Sequence, residues 1–330
     1  MDTDRIDGAE CLDELDRRIV AALQISPRAG VAEVGRILGE HERAVARRVQ
    51  RLLDTGAMRC TAEYDPLLCG LGRTLHLRLR TAASCPESGT AGLAARPEVL
   101  NVAAVAGGSG HLWCELLVDS RSSLYSLAAE GLPGLPGVEV LGSHLTLRTF
   151  RNESEWHVPV LTEEEAKRLR ASLVQPLPGP AQPYDLTPGD TRVADALRRN
   201  ARVSLTELAA ELGFSTATAG RRLTALLERR VLRLRTAVDP VLLGRPVHAR
   251  VRLEVHPAGI ETVGTTLAAA PDVRFCAAVT GRYNLLTDVC VADEAKLYGF
   301  VVGTLGGLPH VLGSDLEMVR RLPPPPGTPS

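Results

Sequence analysis

The sequence predicts an α+β protein of two tandem modules, each a trio of helices followed by a β-α-β-β-α-β sandwich. Three observations predict it. First, the chain matches itself at a constant shift of 174 residues: Asp16, Leu23, Arg28 and Glu33 fall on Asp190, Leu197, Arg202 and Glu207. Arg47-Arg48, Asp65-Pro66, Gly70 and Gly107 then fall on Arg221-Arg222, Asp239-Pro240, Gly244 and Gly281. That period is far longer than the roughly 20–50 residues of a solenoid repeat, so a whole module is present twice. Second, each copy opens with apolar residues at helical spacing and continues with residues that alternate. Third, 330 residues exceed one ordinary core and suit several domains.

Residues 12–58 read as three helices. Leu12, Leu15, Ile19 and Leu23 share one face; Val31, Val34 and Leu38 begin a second helix that stops at Gly39; Val45, Val49 and Leu52 stripe a third. The second copy repeats this with Val193 and Leu197, then Leu205, Leu208 and Leu212, then Ala219, Leu223 and Leu226. Two helices joined at a glycine, the second of them basic, is the helix-turn-helix layout. The period then changes. Leu75, Leu77 and Leu79 alternate with His76, Arg78 and Arg80, and Val251, Leu253 and Val255 with Arg252 and Glu254, as half-buried strands do. Helices follow near 87–95 and 257–270, strands at 99–106, 112–118, 273–280 and 285–291, helices at 122–131 and 294–305, and a closing strand in each copy. That order is a ferredoxin-like sandwich.

The expected domains are a first winged helix-turn-helix at 10–64 and a first sandwich at 65–151, then a linker with a short helix at 152–185. A second winged helix-turn-helix spans 186–238, a second sandwich 239–322, and a disordered tail 323–330. Within the linker, Thr162-Glu163-Glu164-Glu165 is a capping box that predicts a helix to about Val174. The proline-rich stretch from Gln175 to Pro183 reads as a stiff spacer.

Composition narrows the function. The chain is 45% hydrophobic and 23% charged with net charge −1, so only local charge can point to a polyanionic partner. No apolar run reaches the roughly 18 residues of a membrane span, and the acidic Met1-Asp2-Thr3-Asp4 start is unlike a signal peptide. Seven cysteines without a Cys-x-x-Cys pair argue against a disulfide framework or zinc site, so a reducing cytoplasm is expected, with no metal and no cofactor.

The second helix-turn-helix carries the strongest chemical pattern. Ser215 stands where a hydroxyl can cap a helix whose N-terminus suits phosphate. From Ser215 to Arg235 there are six arginines against one acid, Glu228. Thr216, Thr218, Arg221 and Arg222 lie off the apolar stripe, in reach of a groove; the plainer reading is a solvated arginine face. In the first copy His41 replaces the serine, and Glu40 and Glu42 oppose phosphate, while Arg43, Arg47, Arg48 and Arg51 keep the helix basic. A strong half-site read by the second copy and a poorly defined one read by the first are therefore expected.

Gly107-Gly108-Ser109-Gly110 lacks the Lys-Ser/Thr of a phosphate loop and reads as a hairpin turn. Its equivalent, Thr280-Gly281-Arg282-Tyr283-Asn284, has more hydrogen-bonding groups and suits a small polar ligand, or only shapes its turn. His111, Trp113 and Cys114 read as packing residues, since no second histidine stands at metal-ligand spacing.

Together these segments resemble the Lrp/AsnC (feast/famine) transcription regulators, as a tandem duplication. The carriers are Leu12 to Ile19, Glu207 through Ser215 to Leu223, Asp239-Pro240 to Gly244, Val279 to Leu285, and Leu308-Pro309 before Val311. The resemblance implies winged DNA-binding domains and sandwiches of the regulation-of-amino-acid-metabolism type, through which the family self-associates. It further implies double-stranded DNA and a small-molecule effector such as an amino acid as partners, with Thr280, Gly281, Arg282, Tyr283 and Asn284 at the effector site. The family usually has aspartate where Asn284 stands. A rival is enzymatic: siroheme decarboxylases look like the same family. Their histidine- and tyrosine-bearing segment would fall near Val102–His111, or Val279–Leu286 in the second copy; Val102–His111 has no such tyrosine and the arginine-rich second reading helix is kept, so a non-enzymatic regulator is expected. The two sandwiches are expected to pair within one chain, because each sheet has a face to cover.

Overall fold

Side-chain caps and left-handed glycines set the helix boundaries. The computed structural model describes residues 5–6, 9–81, 92–96, 98–106, 111–130, 138–179 and 181–321. Helix α1 (Glu14–Ile25) starts at Asp13, whose carboxylate accepts from the Asp16 N–H. Helix α2 (Val31–Leu38) stops at Gly39, where φ is +74°, a conformation that costs a side chain about 1 kcal/mol or more. Helix α3 (Glu42–Asp54) and strand β1 (Met58–Tyr64) follow. Then come β2 (Arg73–Thr81), β3 (Val99–Ala106), β4 (His111–Val118), α4 (Arg121–Glu130) and β5 (Val138–Arg151).

Helix α5 (Glu163–Ala171) begins with the Thr162–Glu165 capping box and is shorter than its sequence suggests. Thereafter the element order repeats. Helices α6 (Pro188–Arg199) and α7 (Leu205–Leu212) start with capping boxes at Thr187–Asp190 and Ser204–Glu207, and α7 stops at Gly213, φ +68°. Helix α8 (Thr216–Glu228) leads to β6 (Leu232–Val238) and β7 (Val247–Val255). Helix α9 (Ile260–Ala269), β8 (Val273–Val279), β9 (Leu285–Val291) and α10 (Glu294–Gly299) precede β10 (Val311–Arg321). A π-helical turn, Phe300–Leu305, extends α10. The Gly107–Gly110 turn, the tail and most of the helix expected near 87–95 lie outside the described residues.

Two compact units result, and each draws on both copies: Met1–Gly70 with Glu153–Pro246, and Leu71–Asn152 with Val247–Ser330. The first unit holds both helix trios. Ile19, Leu23, Val34, Leu38, Val45, Val49 and Leu52 form one core; Val193, Leu197, Leu208, Leu212, Ala219, Leu223 and Leu226 form the other. Strands β1 and β6 pair antiparallel in a ribbon, Thr61 opposite Arg235, joining the two trios. Arginines lock the joint: Arg28 donates to the Ala201 carbonyl, and Arg202 to those of Pro27 and Ala29.

Residues 153–171, expected as linker, pack instead on the first trio. Trp156, Val158 and Leu169 are buried in its core, the Val158 N–H donates to Gln24, and Arg18 pairs with Glu165 at 2.6 Å. Apolar side chains at these three positions gain about 1.5–3 kcal/mol each by burial, which a free spacer would forgo.

In the second unit the two sandwiches close into one eight-stranded barrel, in the order β8-β9-β7-β10-β3-β4-β2-β5. The junctions between copies are β3 with β10, Val105 opposite Val319, and β5 with β8, Ala277 opposite Thr149. Leu75, Leu77 and Leu79 pack in the first sandwich's own core. The polar residues between them are not solvated as alternation suggests. His76 is 1% exposed and Arg250 2%, because closure sets the second face of each sheet against the other. Arg250 binds Asp288 through two nitrogens at 2.7 Å and reaches Glu115 of the other copy at 3.2 Å. Arg78 and the Trp113 indole N–H both donate to Glu317 across the same divide. Burial alone would raise the Glu115 carboxyl, but His76 and Arg250 outweigh it and bring it down to about 2. Trp113 and Cys114 are buried, as packing residues should be.

Candidate nucleic-acid interface and effector turn

The two basic helices, α3 and α8, occupy equivalent places in their trios. Numbering each from its cap, His41 and Ser215, gives matching outward positions. Position one is Glu42 or Thr216, position two Arg43 or Ala217, and position six Arg47 or Arg221, all of them exposed. Among the described residues, Arg43, Arg47 and Arg221 have no ion-pair partner. Their guanidinium groups are therefore available to phosphate or base edges.

Arg48 and Arg222, expected on the interface, have internal partners instead. Arg222 donates to Asp190 at 2.7 Å and to the Thr187 hydroxyl at 3.1 Å, and its guanidinium lies 5.5 Å from the Phe214 ring centre. Arg48 donates to Asp16 at 2.8 Å and also to Asp13, and Arg51 joins it on Asp16. Asp16 and Asp190 are almost fully buried, at 1% and 2% exposure. An unpaired carboxylate there would be costly, so in each trio an arginine of the basic helix ties back to the first helix. Burial alone would raise the Asp190 carboxyl, but hydrogen bonds from Thr187, Arg222 and Tyr184 hold it below its ordinary value.

The six-to-one arginine excess is thereby largely spent. Arg233 pairs with Asp65 and Arg235 with Glu63 and Glu153, while Arg229 lies over the Tyr184 ring. The Ser215 hydroxyl accepts from the Thr218 N–H and donates to the Thr218 hydroxyl, so both groups serve the cap. His41 makes no side-chain cap bond. Charge counting along the sequence missed these partners because Asp65, Glu63 and Glu153 are distant in the chain.

At the turn between β8 and β9, strand pairing takes most of the polar groups. The Thr280 N–H donates to the Leu145 carbonyl and its hydroxyl accepts from the Leu145 N–H. The Asn284 amide both donates to and accepts from the Val255 backbone, at 2.8 and 3.0 Å. Gly281 has φ +106°, and a Cβ there would lie 3.1 Å from His144 Nδ1. Arg282 pairs with Glu254 and remains 75% exposed, and Tyr283 lies under the Arg252 guanidinium. A cavity of about 580 Å³ lies elsewhere in this unit, lined by Arg96, Glu98, Asp119 and three serines among others. Among the described residues, no group of three or more His, Cys, Asp or Glu could hold a metal, and no helix is long and apolar enough to cross a membrane.

Residues 12–53 match the AsnC-type helix-turn-helix domain, and residues 247–322 match the Lrp/AsnC ligand binding domain. The proline dehydrogenase transcriptional activator of Rhodobacter capsulatus is 28% identical over 130 residues, 38% of this chain and 84% of that protein. The HTH-type transcriptional regulator Ptr1 of Methanocaldococcus jannaschii is 26% identical over 133 residues, 40% of this chain and 90% of the relative. In fold, the chain is similar to the siroheme decarboxylase NirDL, with a TM-score of 0.57 and 19% identity, over 94% of this chain and 92% of that one. The chain thus carries an AsnC-type helix-turn-helix domain at its N-terminal end and an Lrp/AsnC ligand-binding domain at its C-terminal end, and its relatives of similar sequence are named as transcriptional regulators.

Proposed function

We propose that the chain regulates transcription by binding a specific duplex site through both basic helices, and that a small molecule such as an amino acid modulates this binding. The observation that carries the reading is the pairing of the two helix trios through one ribbon in a single compact unit, with an unpaired arginine at position six of each basic helix. Arg43, Arg47, Thr216 and Arg221 are the contact residues on this reading. Arg48 and Arg222 position the helices, and Ser215 and Thr218 shape the start of α8. The effector side rests on the matched ligand-binding domain. Thr280, Gly281 and Asn284 form the frame of the turn, which leaves Arg282 and Tyr283 for a ligand. Whole chains are proposed to associate further through the barrel unit, in keeping with the matched Lrp/AsnC ligand binding domain.

Selection of duplexes from a random library, repeated with individual amino acids, tests the proposal. Enrichment of a defined site, changed by one amino acid, is expected; recovery of no site would overturn it. A tetrapyrrole-modifying enzyme is the second reading, favoured by the likeness to NirDL over nearly the whole chain. Loss of carboxylate from siroheme on incubation with the purified protein would establish that reading instead.

A further inference from the structure

We propose that the two basic helices read different bases, so that the target site has unlike halves: a G·C-determined half under α3 and a thymine-determined half under α8. The inference rests on the DNA-binding reading above and adds its specificity.

In a helix that enters the major groove, the N-terminal residues face the base edges. At position six both helices carry arginine, Arg47 and Arg221, so each half keeps a guanine contact, the commonest arginine pairing. Positions one and two differ in chemical kind. In α3 they are Glu42 and Arg43, both exposed, with no bonding partner among the described residues. A carboxylate accepts from the cytosine amino group and a guanidinium donates to guanine O6 and N7; with thymine and adenine in those places the carboxylate meets the O4 acceptor and the guanidinium keeps N7 alone. In α8 the same positions are Thr216 and Ala217, exposed and uncharged, whose methyl groups fit the thymine 5-methyl. Other side chains do not blur the contrast. Gln50 is bonded to Asp54, Thr218 to Ser215, and Arg48 and Arg222 to buried aspartates. Identical subunits must present identical helices, whereas two copies in one chain are free to differ, and these differ where bases are read.

Selection from a random duplex library with the full chain is expected to give two half-sites about one helical turn or a multiple apart, sharing a guanine and differing at the neighbouring positions. Two exchanged variants then assign the halves. Glu42→Thr with Arg43→Ala should turn the G·C half toward thymine, and Thr216→Glu with Ala217→Arg should do the reverse. Each should change base preference by about tenfold or more. All four positions are exposed, so thermal midpoints should hold. A symmetric palindrome from the unmodified chain, or half-sites unmoved by both exchanges, would overturn the inference while leaving DNA binding intact. Enrichment of no duplex would overturn the regulator reading and this one with it.

Discussion

The two basic helices share a scaffold and differ in what they spend to keep it. In α8 one arginine, Arg222, satisfies the buried Asp190, and a serine cap and two capping boxes order the trio. In α3 two arginines, Arg48 and Arg51, converge on Asp16, and neither α2 nor α3 has a side-chain cap. The first trio gains order instead from Trp156, Val158 and Leu169, supplied by the segment that follows β5. Two copies of one module thus reach stability by different routes: local capping in one, added apolar burial in the other. Their outward faces diverged as well.

The largest expected effect tests the internal ties. Asp190→Ala should destabilise the second trio by about 2–3 kcal/mol, because Arg222 loses its partner and α6 its capping box. Asp16→Ala should cost a similar amount, since Arg51 loses its carboxylate while Arg48 keeps only Asp13. Hydrogen exchange of the core amides in each trio separates the two effects; equal loss in both trios from either variant would break the comparison. Since the Asp190 carboxyl lies below its unfolded value of about 3.9, its contribution is complete above that pH and is lost as pH falls toward the folded value. The unmodified second trio should therefore weaken below about pH 4, and Asp190→Asn should flatten that dependence.

Next in size are the outward arginines. Arg47→Ala and Arg221→Ala should each cost about 1–3 kcal/mol of binding to the selected site without lowering stability. Arg222→Ala should do the opposite, lowering stability while the salt dependence of binding holds. An Arg222→Ala chain with unaltered hydrogen exchange but a flatter salt slope would return that residue to the interface.

The smallest effects concern caps. Ser215→Ala should cost about 1 kcal/mol in the second trio, and His41→Ser should add about 0.5–1 kcal/mol to the first. If His41→Ser adds nothing, the first trio's order depends wholly on burial of Trp156 and its neighbours.

Much of the element pattern was legible along the chain. The 174-residue match placed both trios and both sandwiches, and Gly39 and Gly213 marked the same helix end twice. Strands expected at 99–106 and 285–291 occur at those residues. What alternation could not tell was which side of a strand meets water. His76, Arg78 and Arg252 read as solvent-facing until the barrel closes over them. The proposed interface was legible in outline only. The outward arginines stood off the apolar stripe, but so did Arg48 and Arg222, which share that side of the helix and differ only in having an aspartate within reach.

By itself the sequence determined the helices of the trios, most strands and the twofold presence of the module, because caps, glycines and periodicity act over a few residues. Only the tertiary structure decided which charges remain free. Ion pairing depends on distance through space, and the partners of Arg222, Arg233 and Arg235 stand 32, 168 and up to 172 residues away in the chain.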